Sequence, residues 1–151
     1  MEIFPLDIKK QDLLNIINNI NINFSMYPTL NSWNKKENVP LLDTDRKRNY
    51  RTIITEAAKE KPNFDGKYRI VEFGYGTSAQ YFFIIDLNNG KVFEGIPSTS
   101  GIKYTNDSSL IIINPMENLL QIWDDIIPSW EIIRYLKWEG ETFKELLIIE
   151  H

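Results

Sequence analysis

Gln80-Tyr81-Phe82-Phe83-Ile84-Ile85-Asp86-Leu87, with the Asn88-Asn89-Gly90 that follows it, is the stretch that decides the fold. Its first eight residues are rich in aromatic and β-branched side chains, which is typical of a strand buried on both faces. Asn and Gly tolerate the positive φ of a tight turn, so Asn88-Asn89-Gly90 predicts a hairpin turn. Residues 91–96 then form the return strand, and the segment predicts an antiparallel hairpin.

Further strand patterns lie on both sides of this hairpin, at residues 67–73, 101–105, 110–114, 130–138 and 142–149. Short turns join them, whereas parallel pairing needs a crossover of about a dozen residues or more. We therefore predict one mainly antiparallel meander sheet of about seven strands. A short helical insertion is predicted near residues 118–127, because apolar residues recur there at helical spacing and Pro128 stops the pattern.

Two helices are predicted before the sheet. Asp7 is a plausible N-cap for a helix at residues 7–20, and Thr44 or Asp45 for a second that Pro62 ends. The polar residues 21–43 between them read as a surface connection. The expected fold class is α+β in a single domain of residues 1–151, with a helical part at 1–61 and a sheet at 67–150. The helices are expected to cover one face of the sheet.

Composition excludes several kinds of chemistry. The 151 residues include no cysteine, so disulfides, thiolate metal sites and thiol nucleophiles are absent. The only histidine is His151, at a terminus that makes a poor catalytic platform. No segment has the length and apolarity of a membrane span, and no signal peptide is recognisable. We expect a cytoplasmic protein with no cofactor, no metal and no membrane contact.

The middle of the chain carries four short motifs. They are Asn63-Phe64-Asp65-Gly66-Lys67-Tyr68, Gly74-Tyr75-Gly76-Thr77-Ser78-Ala79, Asp86-Leu87-Asn88-Asn89-Gly90-Lys91-Val92 and Asp107-Ser108-Ser109-Leu110-Ile111-Ile112. Together they resemble an uncharacterised family of small bacterial proteins, many of them exported, whose second motif is a Gly-Cys-Gly-Thr-Ser-Cys-like turn. Residues 135–143 are similar to the closing hairpin of that family.

The chain departs from this family at positions that could carry chemistry. Both cysteines of the turn are replaced, by Tyr75 and Ala79, and a histidine common in the first motif is Lys67 here. A disulfide contributes nothing in a reducing compartment, so this loss fits a cytoplasmic location. The resemblance supports the scaffold and argues against an enzymatic function.

Several patterns that could mark an enzyme have simpler interpretations. Gly74-Tyr75-Gly76-Thr77-Ser78-Ala79 fits the dinucleotide fingerprint G-x-G-x-x-A, but a strand pattern follows it, where a pyrophosphate site needs a helix. No histidine is available to activate a hydroxyl group as a nucleophile, although a lysine base is conceivable at Lys67 or Lys103. The hydroxyl groups considered are those of Thr77, Ser78, Ser98, Thr99 and Ser100. The acidic side chains of Asp107, Asp124 and Asp125 do not form an EF-hand loop.

Two further patterns concern charge. Glu72, Asp86 and Glu94 could converge as the carboxylate pair of a hydrolase, if the strand register allows it. Arg46-Lys47-Arg48 with Arg51 forms a basic patch beside Tyr50, but a pI near 5.1 argues against nucleic-acid binding by the chain.

The C-terminal third is acidic. Residues 104–151 carry nine acidic and three basic residues, within a chain of net charge −4. Tryptophans alternate with these carboxylates, which is the composition of a specific protein interface; we take Trp138 as core and the predicted partner-binding residues as Trp123, Asp124, Asp125, Trp130, Glu131, Glu139 and Glu141. We expect a cytoplasmic inhibitor of a basic protein, most concretely an immunity protein against a nuclease-type toxin. The alternatives are a carboxylate-dependent hydrolase and a ligand-sensing or structural module.

Overall fold

The computed structural model describes residues 7–74 and 79–150. Its β-strands are β1 (Ile8–Lys9), β2 (Tyr68–Gly74), β3 (Gln80–Asp86), β4 (Val92–Glu94), β5 (Ile102–Tyr104), β6 (Leu110–Ile113), β7 (Ile126–Ile127), β8 (Ile133–Trp138) and β9 (Phe143–Ile149). The α-helices are α1 (Lys10–Asn18), α2 (Asp45–Asn49), α3 (Arg51–Ala57) and α4 (Met116–Ile122), and Phe24–Met26 forms a 3₁₀ turn.

The strands form three antiparallel sheets, with the orders β2-β3-β4, β5-β6-β8-β9 and β1-β7. The α+β class and the antiparallel pairing are therefore confirmed. The single seven-stranded meander is wrong, because β4 and β5 follow each other along the chain but belong to different sheets.

The three-stranded and four-stranded sheets pack face to face. Ile70 and Ile84 of the first sheet share a buried cluster with Ile111, Leu136 and Trp138 of the second. Trp138 is thus a core residue, as predicted. This shared cluster covers the inner faces of β3 and β6, and helices cover their outer faces. Leu110–Ile113 is therefore buried without interruption.

Helices cover the two outer faces. Ile54 and Ala57 of α3 pack against Phe83 and Ile85 on the three-stranded sheet. Leu13 of α1 and Leu119 of α4 pack with Leu110, Ile112 and Tyr135 on the four-stranded sheet. The prediction that the helices cover one face of a single sheet is wrong, and the described elements are layered helix, sheet, sheet, helix.

Local geometry corrects the predicted helix bounds. Asp7 does not cap α1, which begins at Lys10, and its carboxylate instead accepts a hydrogen bond from the backbone N–H of Ser129 at 2.9 Å. Thr44 does cap the second helical segment, through the N–H of Lys47 at 3.2 Å. That segment breaks at Tyr50, whose φ of −110° and ψ of 23° lie outside the helical region, so it forms α2 and α3.

The predicted helix at residues 118–127 is also corrected. α4 ends at Ile122, and Ile126–Ile127 form β7, which pairs with β1 at Ile8 and Lys9. The helical spacing of the apolar residues is real, but the backbone groups of β7 are satisfied by a strand about 120 residues earlier, a partner that a local pattern does not reveal.

Residues 21–43 form a strap that connects the two helix layers. The backbone N–H of Thr29 donates to Asp107 and that of Leu41 to Gly90, at 2.8 and 2.7 Å. These contacts run from the β5–β6 loop to the β3–β4 turn. The strap therefore lies against both sheets rather than standing free as a simple surface connection.

Candidate functional site

The segment from the end of α4 to the start of β8 exposes an unusual amount of apolar surface. Ile122 is 55% exposed and Trp130 is 51% exposed, and Leu120 and Ile126 are also exposed. Isolated exposed apolar residues are ordinary, but several within eleven residues make a patch. We call the following residues the acidic-aromatic surface: Leu120, Ile122, Trp123, Asp124, Asp125, Ile126 and Trp130.

Two tryptophans form the aromatic part of this surface. The rings of Trp123 and Trp130 meet edge to face, with centroids 5.4 Å apart and an interplanar angle of 76°. Trp123 is half-buried, and its indole N–H donates to a carboxylate oxygen of Glu131 at 2.9 Å. The hydrogen bond to Glu131 therefore fixes the Trp123 ring. Trp123 in turn packs against the ring of Trp130, which is exposed and accessible to a partner.

Glu131 lies in the interior, with no exposed area. Besides the indole of Trp123, it accepts hydrogen bonds from the hydroxyls of Thr99 and Ser100. The backbone N–H groups of Thr99 and Ser100 both donate to the side chain of Asn114. Glu131 was expected on the partner-binding surface. Its carboxyl group is instead buried, and its hydrogen bonds hold the crossing loop between the two sheets.

The acidic side chains on the surface are Asp124 and Asp125, which are exposed. Neither forms an ion pair or side-chain hydrogen bond with any residue in the two described ranges. Lys10 lies close by, but its backbone N–H binds the carbonyl oxygen of Asp125 at 2.7 Å and its ammonium group points to the carbonyl oxygen of Leu120 at 3.3 Å. Both carboxylates are free to interact with a cation from outside.

Glu139 and Glu141 are exposed but lie elsewhere. They form the β8–β9 turn, whereas Trp130 precedes the other end of β8. A six-residue strand is about 20 Å long. The structure thus brings together Trp123, Asp124, Asp125 and Trp130 and places Glu139 and Glu141 at the opposite end of the sheet.

The three carboxylates considered for a hydrolase do not converge. Asp86 lies opposite Tyr68 and is buried in an ion pair with Lys67 at 3.2 Å. Glu72 lies four residues along β2 from Tyr68, about 13 Å away. Glu94 lies opposite Phe83, on the other face of the sheet, where it pairs with Arg46 at 3.3 Å. No two of them share a space in which a substrate bond could be cleaved.

The other sequence patterns are placed as follows. Residues 75–78, which include Thr77 and Ser78, lie outside the described residues, and β3 rather than a helix begins at Gln80. Ser98 is buried and its backbone bridges Gln80. Lys103 forms an ion pair with Glu117 at 2.8 Å.

Ion pairs and a ring contact account for most of the basic patch. Lys47 binds Asp43 at 2.6 Å and Arg48 binds Asp45 at 2.5 Å. Besides its pairing with Glu94, Arg46 lies over the Tyr81 ring at 4.7 Å. These cations serve internal contacts of the α2 region.

A cavity of about 660 Å³ lies between the strap and the β8–β9 turn. Its lining includes Asp65, which accepts a hydrogen bond from Asn31 at 3.1 Å and whose pKa is raised by burial. Lys67 at the same cavity is paired with Asp86. Asp65 and Lys67 are thus already engaged within the protein.

Pattern analysis missed the apolar part of the site. Leu120 fits the helical spacing of core residues, but it is exposed beside the buried Leu119 on a helix of only seven residues, and Ile122, the last residue of that helix, is exposed as well. Such a short helix buries only a narrow stripe of its side chains. Its shortness was therefore the signal that some of its apolar residues would be exposed. Sequence reasoning also overlooked Gln80, Asn118 and Gln121, whose carboxamides line a cavity together with Glu72.

No three acidic or histidine side chains in the described part of the chain come close enough to hold a metal ion. None of the helices at 7–74 and 79–150 has the length and apolarity needed to cross a membrane. Comparisons of the chain with protein-family models, with curated proteins and with solved structures give no match.

Proposed function

We propose that this protein binds and neutralises a basic protein through the acidic-aromatic surface, most concretely as a cytoplasmic immunity protein against a nuclease-type toxin. The observation that carries the proposal is the half-exposed Trp130 ring, which rests on Trp123 beside two unpaired aspartates. An aromatic anchor at the centre of a charged rim is the usual composition of an interaction hot spot.

The two parts of the surface have separate physical roles. Burial of Trp130 and Ile122 supplies apolar contact area, and a tryptophan is among the residues most often found at hot spots. Asp124 and Asp125 attract a positively charged partner and raise its association rate, by about 10–10³ at low salt. A nuclease suits this surface because it binds phosphates with lysine and arginine, which an acidic protein can occupy instead.

The test compares Trp130→Ala with a control at Leu30→Ala. Leu30 is 96% exposed and lies on the strap, so its truncation changes an exposed apolar residue away from the proposed surface. The wild-type protein is used to capture its partner from the native cell, and the partner is then purified for titration calorimetry. We expect Trp130→Ala to weaken binding by about 30-fold or more, as a loss of 2 kcal/mol at a hot spot would, and Leu30→Ala to leave the affinity unchanged.

Salt dependence tests the electrostatic part. Binding should weaken between low and physiological ionic strength, and the double variant Asp124→Asn with Asp125→Asn should reduce that dependence mainly through the association rate. An affinity indifferent to salt, or equal losses for Trp130→Ala and Leu30→Ala, would overturn the proposal. So would substrate turnover by the pure protein that one point substitution abolishes.

A further inference from the structure

A second cavity, of about 410 Å³, opens where the ends of the two sheets meet α4. This size falls within the range of about 300–1,000 Å³ that is typical of ligand pockets. Its lining consists of Glu72, Gln80, Ser100, Gly101, Ile102, Asn118, Gln121 and Ile122.

The polar lining of this cavity combines one acidic group with groups that can either donate or accept hydrogen bonds. It contains one carboxylate and three carboxamides, and no lysine or arginine among the described residues that line it. Asn118 uses its amide nitrogen to donate to the carbonyl oxygen of Ser100 at 2.7 Å, which leaves its side-chain oxygen available. Gly101 has φ of +84°, and a Cβ there would crowd Asn118 at 3.1 Å. The absence of a side chain at residue 101 therefore keeps the cavity open.

Glu72 is the charged group of this cavity. It forms no hydrogen bond or ion pair with any residue in the ranges 7–74 and 79–150, and desolvation raises the pKa of its carboxyl. Tyr104 is the titratable group near enough to sense its charge from the facing strand. The Glu72 side chain is exposed at the rim of the cavity, so a cation from outside can reach its carboxylate without breaking an ion pair to any described residue.

We propose that this cavity binds a guanidinium group, supplied by an arginine side chain of the basic partner. Glu72 can accept two parallel hydrogen bonds from one guanidinium, and the oxygens of Gln80, Asn118 or Gln121 can accept the remaining N–H groups. Ile122 lies both in the cavity and on the acidic-aromatic surface, so the two are continuous. The identity of the donor rests on the proposed function, whereas the chemistry of the cavity does not.

The cavity is tested first without any partner, by NMR titration of the full chain with N-acetyl-arginine amide. N-acetyl-citrulline amide serves as the neutral molecule of the same shape. We expect saturable shifts of the Gly101 and Asn118 amide signals with the arginine compound. The citrulline compound should bind with an affinity at least about tenfold lower, because the charge-assisted hydrogen bonds are lost. Glu72→Gln should weaken the arginine response equally. The control Glu94→Gln removes a carboxylate from the opposite face and should change nothing; the amide spectra of both variants report their folding.

The result that overturns the inference is equal binding of the two compounds, or an arginine response that Glu72→Gln leaves intact. The source of the guanidinium is then tested with the captured partner. Loss of affinity with Glu72→Gln identifies an arginine of the partner, whereas unchanged affinity together with a positive arginine titration overturns that assignment and leaves a free guanidinium compound as the ligand. A silent titration with a strong Trp130→Ala effect refutes only the cavity, and a positive titration with no Trp130→Ala effect refutes only the proposed function.

Discussion

At the scale of single residues, Glu131 connects the interior with the acidic-aromatic surface. Its carboxylate accepts hydrogen bonds from Thr99 and Ser100 on the loop that crosses between the sheets, and from Trp123 on the surface. A single buried acid therefore fixes the loop and the support of Trp130 together. The sequence predicted a surface position for Glu131 because a glutamate is seldom fully buried. Its hydrogen-bond donors could not be recognised from the sequence, because they lie more than thirty residues away or in a different element.

Glu131→Ala should destabilise the protein by about 2 kcal/mol or more, because the buried hydroxyl of Ser100 and the half-buried donors of Thr99 and Trp123 then lose their acceptor, at roughly 1–3 kcal/mol for a fully buried donor. The measurement is urea denaturation followed by tryptophan fluorescence. Glu139→Ala is the matched control, since Glu139 is exposed at the far end of the same sheet, and its effect should stay within about 0.5 kcal/mol. Equal effects of the two substitutions would contradict the role given to Glu131.

The raised pKa of Glu72 predicts how the free energy of unfolding depends on pH. Its pKa is raised in the folded state, so the folded protein holds this proton more firmly than the unfolded chain does. The stability it contributes is present below the ordinary glutamate pKa and is lost as pH rises through the raised value. Glu72→Gln should therefore match the wild type near pH 4 and exceed its free energy of unfolding at pH 7. A difference that does not change between these pH values would show that Glu72 is not desolvated in this way.

At the scale of elements, the β3–β4 turn joins the hairpin to the strap. Gly90 has φ of +82°, and a Cβ there would overlap the backbone carbonyl oxygen of Val39. The same residue accepts a hydrogen bond from Leu41 at 2.7 Å. The turn predicted from Asn88-Asn89-Gly90 thus does more than reverse the chain, because its glycine also allows the strap to approach closely.

Gly90→Ala should cost about 2 kcal/mol or more, from the left-handed backbone and the overlap together. Gly74→Ala is the control: among residues 7–74 and 79–150 the nearest atom to a Cβ there lies at 3.8 Å, so the change should stay within about 0.5 kcal/mol. Thermal unfolding of the two variants checks this. If both lose the same stability, the close approach of the strap is not what requires Gly90.

Elements were predicted well from local patterns and their assembly was not. All seven strands of the two large sheets fall where alternation or apolar runs place them, because those signals depend only on the face that each residue buries. Which strands pair is decided over a distance: Ser98 bridges Gln80 while Thr99 and Ser100 bind Glu131, so the crossing loop is tied to both sheets. The sequence did contain one signal of this packing. The four consecutive apolar residues Leu110–Ile113 are all buried in β6, and a strand buried in this way must be covered on both faces.

At the scale of the whole molecule, the charge asymmetry follows the layers. The acidic residues 104–151 contain most of the four-stranded sheet together with α4 and β7, whereas residues 62–103 carry equal numbers of acidic and basic side chains. The negative charge is therefore concentrated on the half of the molecule that carries Trp130 and reaches the cavity of Glu72. A basic partner approaching the protein would be oriented toward that half before contact.

The two sheets should unfold as one unit, because their shared cluster includes large side chains from both. Ile111 has no exposed area and lies in this cluster, so Ile111→Ala should cost about 2–5 kcal/mol and leave a cavity between the sheets. In wild type and variant alike, far-UV circular dichroism and tryptophan fluorescence should report one coincident urea transition, the criterion for two-state unfolding. The variant should shift both probes equally to lower urea. A variant in which fluorescence moves ahead of circular dichroism would show instead that the four-stranded sheet, which carries Trp138, loses its structure separately from the three-stranded one.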